Sequence, residues 1–254
     1  MRIALKIAYN GTRFHGYARQ PKVNTVEGEL LSFLKGNGCF ADETKARIRT
    51  ASRTDKGVSA LGNVVAFYTE LQKKQVVQIC KKKLDDILVY GFAEVDDDFY
   101  PRHARQRIYR YHLSADENDI KQLPHVAALF TGEHNFRNFA RLEQGKNPIR
   151  VIDSIVFSET NGFVVADFYA QNFLWNQIRR IVSAWKKYSQ GKITLRQISD
   201  ALHHPEQKVD FGVAPPEPLI LMDVIYDVKF TYMNKSIQML NNLENHIVSS
   251  FSVK

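Results

Sequence analysis

Residues 51–60, with the sequence ASRTDKGVSA, place one carboxylate among cations directly before an apolar run. Asp55 has Arg53 and Lys56 close to it, and Gly57 follows. An ionised aspartate in such a setting can act as a nucleophile or as a base. Aspartate followed by x-Gly is also ordinary turn chemistry. The residues alone favour a turn, and a catalytic carboxylate is the alternative.

An arginine and two tyrosines are further candidates for chemistry. Tyr109 and Tyr111 are two residues apart in a predicted strand, so they share one face of it, and at least one is expected to pack in the core. Arg179 lies beside the apolar Ile178 and Ile181 in a predicted helix. Its two interpretations are a solvated helix charge and a cation buried beside a carboxylate.

Composition narrows the class of protein that carries these residues. The chain has 254 residues, and 35 Lys and Arg against 27 Asp and Glu give a net charge of +8. This excess favours a polyanionic partner, and we rank nucleic acid above a membrane because no long apolar stretch occurs. Cys39 and Cys80 have no metal-ligand or disulfide spacing. The N-terminus does not resemble a signal peptide, so a cytoplasmic location is expected.

Hydrophobic periodicity predicts an α+β fold. Strands are predicted at residues 2–9, 63–68, 87–95, 107–113, 152–157, 163–170 and 219–230. Helices are predicted at residues 26–34, 73–84, 173–188 and 194–203, with a last one in the tail after Asn234. Turns are predicted at Asn10-Gly11 and Asn161-Gly162. A domain boundary is expected near residues 105–120, where residues 115–119 are polar and loop-like.

Residues 51–60 closely resemble the signature around the catalytic aspartate of the TruA-type tRNA pseudouridine synthases. Five further blocks are similar to family segments in the same order, so the likeness covers roughly residues 1–226. They are residues 9–20, 99–111, 132–139, 173–182 and 214–221. The chain departs from the commonest motif at Ser52, where glycine is frequent, at Ser59, where histidine is frequent, and at Asn10, where aspartate is usual.

The resemblance implies the pseudouridine synthase fold, a mixed or antiparallel central sheet flanked by helices with an active-site cleft between two similar halves. Residues 1–105 would form the catalytic half with Asp55. Residues 106–230 would form the half that carries Tyr109 and Arg179, and residues 231–254 would form a tail.

The resemblance also implies the chemistry. Uracil leaves its ribose through nitrogen, turns, and rejoins through carbon. Asp55 would be the essential carboxylate, Arg179 its cationic partner, and Tyr109 the active-site tyrosine, with Tyr111 as the fallback. Isomerisation needs no redox partner or phosphate donor, and the sequence has no nucleotide-binding glycine loop or metal-ligand cluster. We therefore predict no cofactor and no metal.

The RNA-binding surface is predicted from the remaining positive charge. The resemblance implies that Arg53 fills the stack that the flipped uridine vacates. Candidate backbone contacts are Lys56, Lys81, Lys82, Lys83, Arg102, Arg105, Arg107 and Arg110. Each is individually as consistent with a solvated surface charge. The family further implies a homodimer that acts on uridines 38, 39 and 40 of the tRNA anticodon stem-loop.

Two alternative functions remain open. A pseudouridine synthase for other RNA positions would keep Asp55, Tyr109 and Arg179 and differ in its basic surface. A non-catalytic RNA-binding protein would share the charge and fold without needing an ionised Asp55. Phosphodiester cleavage is disfavoured because His203-His204 lacks the companions that such chemistry requires.

Overall fold

The computed structural model describes residues 1–82, 84–113, 122–160 and 162–251. Its contacts divide the chain into two compact units. The first contains Met1–Arg105 and Ile220–Lys254, and the second contains Gln106–Leu219. Both mix strands and helices, which confirms the predicted α+β class. The assignment of separate functional roles to residues 1–105, 106–230 and 231–254 stays a prediction.

The elements follow one another along the chain as strands and helices in mixed order. The strands are β1 (Arg2–Tyr9), β2 (Arg49–Thr50), β3 (Ser59–Tyr68), β4 (Ile87–Val95), β5 (Gln106–Leu113), β6 (Gly132–Asn135), β7 (Ile149–Ile152), β8 (Ser154–Thr160), β9 (Phe163–Ala170), β10 (Leu219–Ile225) and β11 (Thr231–Tyr232). The helices are α1 (Val26–Gly36), α2 (Glu43–Ala46), α3 (Lys73–Cys80), α4 (Leu123–Ala128), α5 (Gln177–Ser189), α6 (Leu195–His203) and α7 (Ser236–Ser249).

The sheet of the first unit is mixed. Its strands pair in the order β11-β4-β1-β3-β10, with β2 beside β3. β1 is antiparallel to both β3 and β4, whereas β3 and β10 run parallel, with Ser59 opposite Ile220. The parallel pair fixes the start of β3, the strand that directly follows the Asp55 segment.

All eight residues of β1 are buried, although the alternation of its apolar residues is typical of a half-buried strand. The strand has paired neighbours on both sides, and its two charged residues find partners inside the protein. Lys6 forms an ion pair with Asp223, and the Arg2 guanidinium lies 4.7 Å from the ring centroid of Tyr68. The alternating apolar pattern therefore predicts the strand but not its complete burial, since Arg2 and Lys6 lie on one face and have partners inside the protein.

The second unit contains an antiparallel sheet in the order β5-β9-β8 and a separate β6-β7 pair. Tyr109 lies opposite Phe168 in the β5-β9 register. Trp185 of α5 is fully buried, and its ring stacks on Phe168 with centroids 5.4 Å apart. This packing fixes α5 against the sheet and thereby positions the residues at its N-terminal end.

Several predicted boundaries shift in the structure. The helix predicted from residue 173 begins at Gln177, because Asn176 has a left-handed backbone with φ +60°. The helix predicted at 73–84 ends at Cys80. Lys83, Asn161 and residues 115–119, on which other predictions depended, lie outside the described residues. Within the described ranges, no helix is long and apolar enough to cross a membrane.

Candidate active site

Asp55 opens a tight turn between β2 and β3. The backbone N–H of Val58 donates to the Asp55 carbonyl at 3.1 Å, and Gly57 adopts φ +86°, a conformation that favours glycine. Asp55 is half-buried. The bond that closes the turn is accepted by the backbone carbonyl of Asp55, so the turn and the catalytic interpretations are compatible.

The N-terminal segment holds this turn at both ends. The Tyr17 backbone N–H donates to the Thr54 carbonyl at 3.0 Å, and the hydroxyls of Tyr9 and Thr54 are 2.8 Å apart. On the other side, the Gly11 N–H donates to the Ser59 hydroxyl at 2.9 Å. Buried hydrogen bonds of this kind restrict the turn to one conformation. Residues 9–17, similar to the family's opening block, therefore position Asp55.

Asn63 supports the Asp55 segment and is not among the site residues predicted from the sequence. Its side chain is fully buried, donates to the Ser52 carbonyl at 2.9 Å, and accepts from the Ser52 N–H at 3.2 Å. The amide thus pairs with the backbone that leads into the Asp55 turn. The sequence feature that indicates this role is a single amide side chain in the otherwise apolar run NVVAFY, because a buried polar group needs a hydrogen-bond partner.

Gly11 lies directly against the backbone of the turn. A Cβ at this position would lie 2.1 Å from the Val58 carbonyl oxygen and 2.3 Å from its carbon, both backbone atoms. We expect Gly11→Ala to lower the free energy of unfolding by about 1–3 kcal/mol. Displacement of Asp55 should also slow turnover by roughly tenfold to 100-fold. Urea unfolding and single-turnover kinetics measure the two effects.

Gly36→Ala is the matched control for this substitution. Gly36 is the last residue of α1, and a Cβ there would meet nothing within 4 Å. Alanine is favoured over glycine in a helix, so this variant should be at least as stable as the wild type and equally active. Equal behaviour of the two variants would contradict the role assigned to Gly11.

Tyr109 and Tyr111 differ sharply in their surroundings. Tyr111 is fully buried, and its hydroxyl donates to the Pro215 carbonyl at 3.1 Å. Tyr109 is half-buried, and its ring meets that of Phe173 edge to face, with centroids 5.4 Å apart. Tyr111 thus has the surroundings of a core residue, which favours Tyr109 for a role at the surface of β5.

Arg179 lies in the first turn of α5, and hydrogen bonds within the second unit hold its guanidinium. Its Nε donates to the Ala214 carbonyl at 2.8 Å, and its Nη1 donates to Asn176 Oδ1 at 3.1 Å. The Ala214 N–H in turn donates to the Arg179 carbonyl at 3.0 Å. A fixed, half-buried guanidinium is not the solvated helix charge of the alternative interpretation.

Residues 173–179 connect Tyr109 and Arg179 within the second unit. Phe173 contacts the Tyr109 ring, and Asn176 accepts from Arg179. The Gln177 side-chain oxygen accepts from the Leu174 N–H at 2.8 Å and closes this irregular segment before the helix begins. The short irregular stretch thus contacts both Tyr109 and Arg179, the two predicted site residues of the second unit.

The predicted RNA contacts fall into two groups. Exposed cations are Arg53, Lys56, Lys81, Lys82, Arg102 and Arg105, and Arg105 pairs with Asp227 at 2.7 Å. Arg107 is buried and Arg110 is half-buried, unlike the exposed cations. Arg107 is 5% exposed and donates to the Gln171 carbonyl, while Arg110 makes two bonds of 2.8 Å to Asp167. Their structural contacts weigh against a direct phosphate contact by either residue.

His112 on β5 makes stability depend on pH. It is 4% exposed, its Nδ1–H donates to the Pro218 carbonyl at 3.2 Å, and desolvation lowers its pKa to about 4. The unfolded chain therefore binds this proton more readily, so the stabilisation is present above about pH 6.5 and is lost as pH falls towards 4. We expect a loss of about 3 kcal/mol across this window.

Urea unfolding between pH 7 and 4 measures this contribution. His112→Gln should flatten the dependence relative to the wild type, because glutamine does not titrate. His125→Gln, at an exposed position in α4, makes the same change away from β5 and should leave the wild-type slope. Parallel curves for wild type and His112→Gln would show that His112 does not titrate in this way.

Among the described residues, no three His, Cys, Asp or Glu side chains come together as a metal site. The prediction that the reaction needs no cofactor rests on the chemistry of isomerisation.

Comparison with known proteins identifies the family. The family model described as tRNA pseudouridine synthase matches residues 126–227, which include Arg179. A tRNA pseudouridine synthase A from Thermococcus sibiricus is 44% identical over 234 residues, covering 91% of this chain and 87% of that protein. The enzyme of the same name from Pyrococcus furiosus is 41% identical and covers 100% and 93%, respectively.

A third relative, the tRNA pseudouridine synthase A of Methanothermobacter thermautotrophicus, is 41% identical and covers 90% of this chain and 82% of that protein. The chain therefore belongs to the tRNA pseudouridine synthase family. The family isomerises uridine to pseudouridine in tRNA, so this protein is an isomerase.

Proposed function

We propose that this enzyme forms pseudouridine at positions 38, 39 and 40 of the tRNA anticodon stem-loop, with Asp55 as its essential carboxylate. The observation that carries the proposal is the half-buried Asp55 on a glycine turn that buried hydrogen bonds hold in place. A partly accessible aspartate on a fixed backbone turn meets the first requirement of a reaction on a flipped nucleotide.

The reaction is balanced without any added reactant. The bond between N1 of uracil and C1′ of ribose breaks, the bond between C5 and C1′ forms, and the proton at C5 moves to nitrogen. Asp55 would attack the sugar, attack the uracil ring or remove a ribose proton. Each of these routes requires the ionised carboxylate.

Tyr109 and Arg179 have supporting roles in the proposal. Tyr109 stacks on uracil and its hydroxyl assists removal of the proton at C5. Arg179 is the cation that favours the charged form of Asp55. The hydrogen bonds to Ala214 and Asn176, which orient the Arg179 guanidinium within its own unit, support this role because an oriented cation needs little reorganisation on binding.

The proposed RNA surface includes Arg53, Lys56 and Arg102, whose exposed positive charges suit phosphate contacts. Arg53 would occupy the position from which the uridine flips. We further propose that the enzyme is a cytoplasmic homodimer and that one tRNA contacts both subunits. The net charge of +8 supports the nucleic-acid partner, and the family resemblance supports the dimer.

Single-turnover conversion of an unmodified tRNA transcript, mapped by pseudouridine-specific chemical labelling, tests the proposal. We expect label at positions 38, 39 and 40, and none in a transcript with cytidine at these positions. Label elsewhere would identify a synthase with other targets. Binding without any conversion would identify a non-catalytic RNA-binding protein. Light scattering of the enzyme with and without tRNA would test the dimer.

A further inference from the structure

One tryptophan of the second unit lies at the surface with an arginine over its ring. Trp175 is 43% exposed, and the guanidinium carbon of Arg141 lies 4.2 Å from the centroid of its ring. The Arg141 N–H also donates to the Trp175 carbonyl at 2.8 Å. Backbone and side-chain contacts thus fix the two planar groups against each other.

Packing in the hydrophobic core does not account for the position of the Trp175 side chain. Trp185, the other tryptophan of the chain, is fully buried and stacks on Phe168, as expected for a large apolar side chain. Trp175 instead keeps nearly half of its surface in water, and its neighbour Arg141 is exposed as well. Exposed tryptophan and arginine together are typical of binding surfaces.

The charge around the pair suits a nucleic acid. Residues 137–150 contain Arg137, Arg141, Lys146 and Arg150 against a single acidic residue, Glu143. Arg137, Arg141 and Lys146 are exposed. Cations interleaved with an exposed aromatic ring are the features with which proteins bind unpaired nucleotides, because every base has a face that can stack.

The pair is also next to the residues proposed for catalysis. Trp175 lies between Phe173, which contacts Tyr109, and Asn176, which accepts from Arg179. A nucleotide held on Trp175 would therefore belong to the RNA near the reacting uridine. The anticodon loop offers unpaired bases of this kind.

We propose that Trp175 and Arg141 form a platform for an unpaired nucleotide of the RNA substrate. The base stacks on the exposed surface of the pair, and the guanidinium contacts a flanking phosphate. This inference rests on the proposed function, because it takes tRNA as the substrate. The platform contributes to RNA binding and not to the chemical step.

Tryptophan fluorescence gives a direct measurement, because only Trp175 of the two tryptophans is exposed. Titration of the wild type with an unmodified anticodon stem-loop should quench the emission. Trp175→Phe should lose the quench and keep most of the affinity, since phenylalanine can still stack. Trp175→Ala should raise Kd by roughly 10-fold to 100-fold, the effect of losing one base–aromatic stack.

Conversion kinetics separate the platform from the proposed catalytic function. The single-turnover rate of Trp175→Ala at saturating RNA should fall much less than its affinity does, because the platform acts in binding. Val156→Ala, which shortens another exposed apolar side chain of the second unit, should change neither Kd nor rate. Arg141→Gln should weaken binding and lower its dependence on salt.

Two results would overturn the platform. One is wild-type binding of the stem-loop without a change in Trp175 emission, and the other is an unchanged Kd for Trp175→Ala. The first readout uses the wild-type protein with bound RNA, so it decides the platform even if the alanine variant is unstable. Failure of the wild type to convert any uridine would refute the proposed function instead, while quenching by the bound RNA would still support the platform.

Discussion

Replacing Asp55 with asparagine should slow pseudouridine formation by roughly 10³-fold or more, while the affinity for tRNA stays close to that of the wild type. Asparagine has nearly the same shape but cannot act as a nucleophile or a base at this position. The turn should survive, because its bond uses the Asp55 carbonyl and because Gly57 supplies its positive φ. The loss is therefore one of chemistry and not of folding.

Single-turnover conversion and filter binding with the same unmodified tRNA measure the two parts of this prediction. Asp98→Asn makes the same change of charge at an exposed position and should convert uridine at the wild-type rate. Comparable melting temperatures for the three proteins would confirm that the fold is intact. An active Asp55→Asn enzyme would remove Asp55 from the reaction and with it the central proposal.

Much of the fold was predictable because the local patterns are strong. The bounds of β1, β4 and β9 agree with the predicted strands. The helix predicted at residues 26–34 follows Thr25, a residue type that favours helix N-caps, and Thr25 accepts from the Gly28 N–H at 3.2 Å as such a cap should. These elements owe their positions to periodicity and capping, which a sequence displays directly.

Other elements depend on tertiary contacts that no local pattern contains. The irregular segment before α5 was predicted as helix because Phe173 and Leu174 continue the apolar stripe. In the structure, Asn176 takes φ +60° and its side chain accepts from Arg179, so a contact of the site overrides helical propensity. β2, with only two residues, is likewise defined by its pairing with β3.

In the candidate site, too, some features follow from a sequence motif and others depend on tertiary contacts. The motif around Asp55 pointed to the carboxylate, but the contacts of Tyr9, Gly11 and Asn63 with this segment cross between strands and loops and had no signal of comparable strength. Alternation placed Tyr109 and Tyr111 on one face without distinguishing them. Burial of Tyr111 separates the two, and burial depends on the packed unit.

Substitution of Arg179 should have the second large effect on the rate of pseudouridine formation. Arg179→Gln should lower the single-turnover rate at saturating tRNA by roughly 10²-fold to 10³-fold, the range found when an oriented electrostatic partner is removed. Arg179→Lys should recover part of this loss, because lysine restores the charge but cannot reproduce the planar fork that donates to both Ala214 and Asn176. Arg180→Gln is the neighbouring control on the same helix, where the arginine pairs with Asp210 at 2.8 Å, and it should retain the wild-type rate. A lysine variant as fast as the wild type would show that charge alone suffices, and a fully active glutamine variant would remove Arg179 from the proposed mechanism.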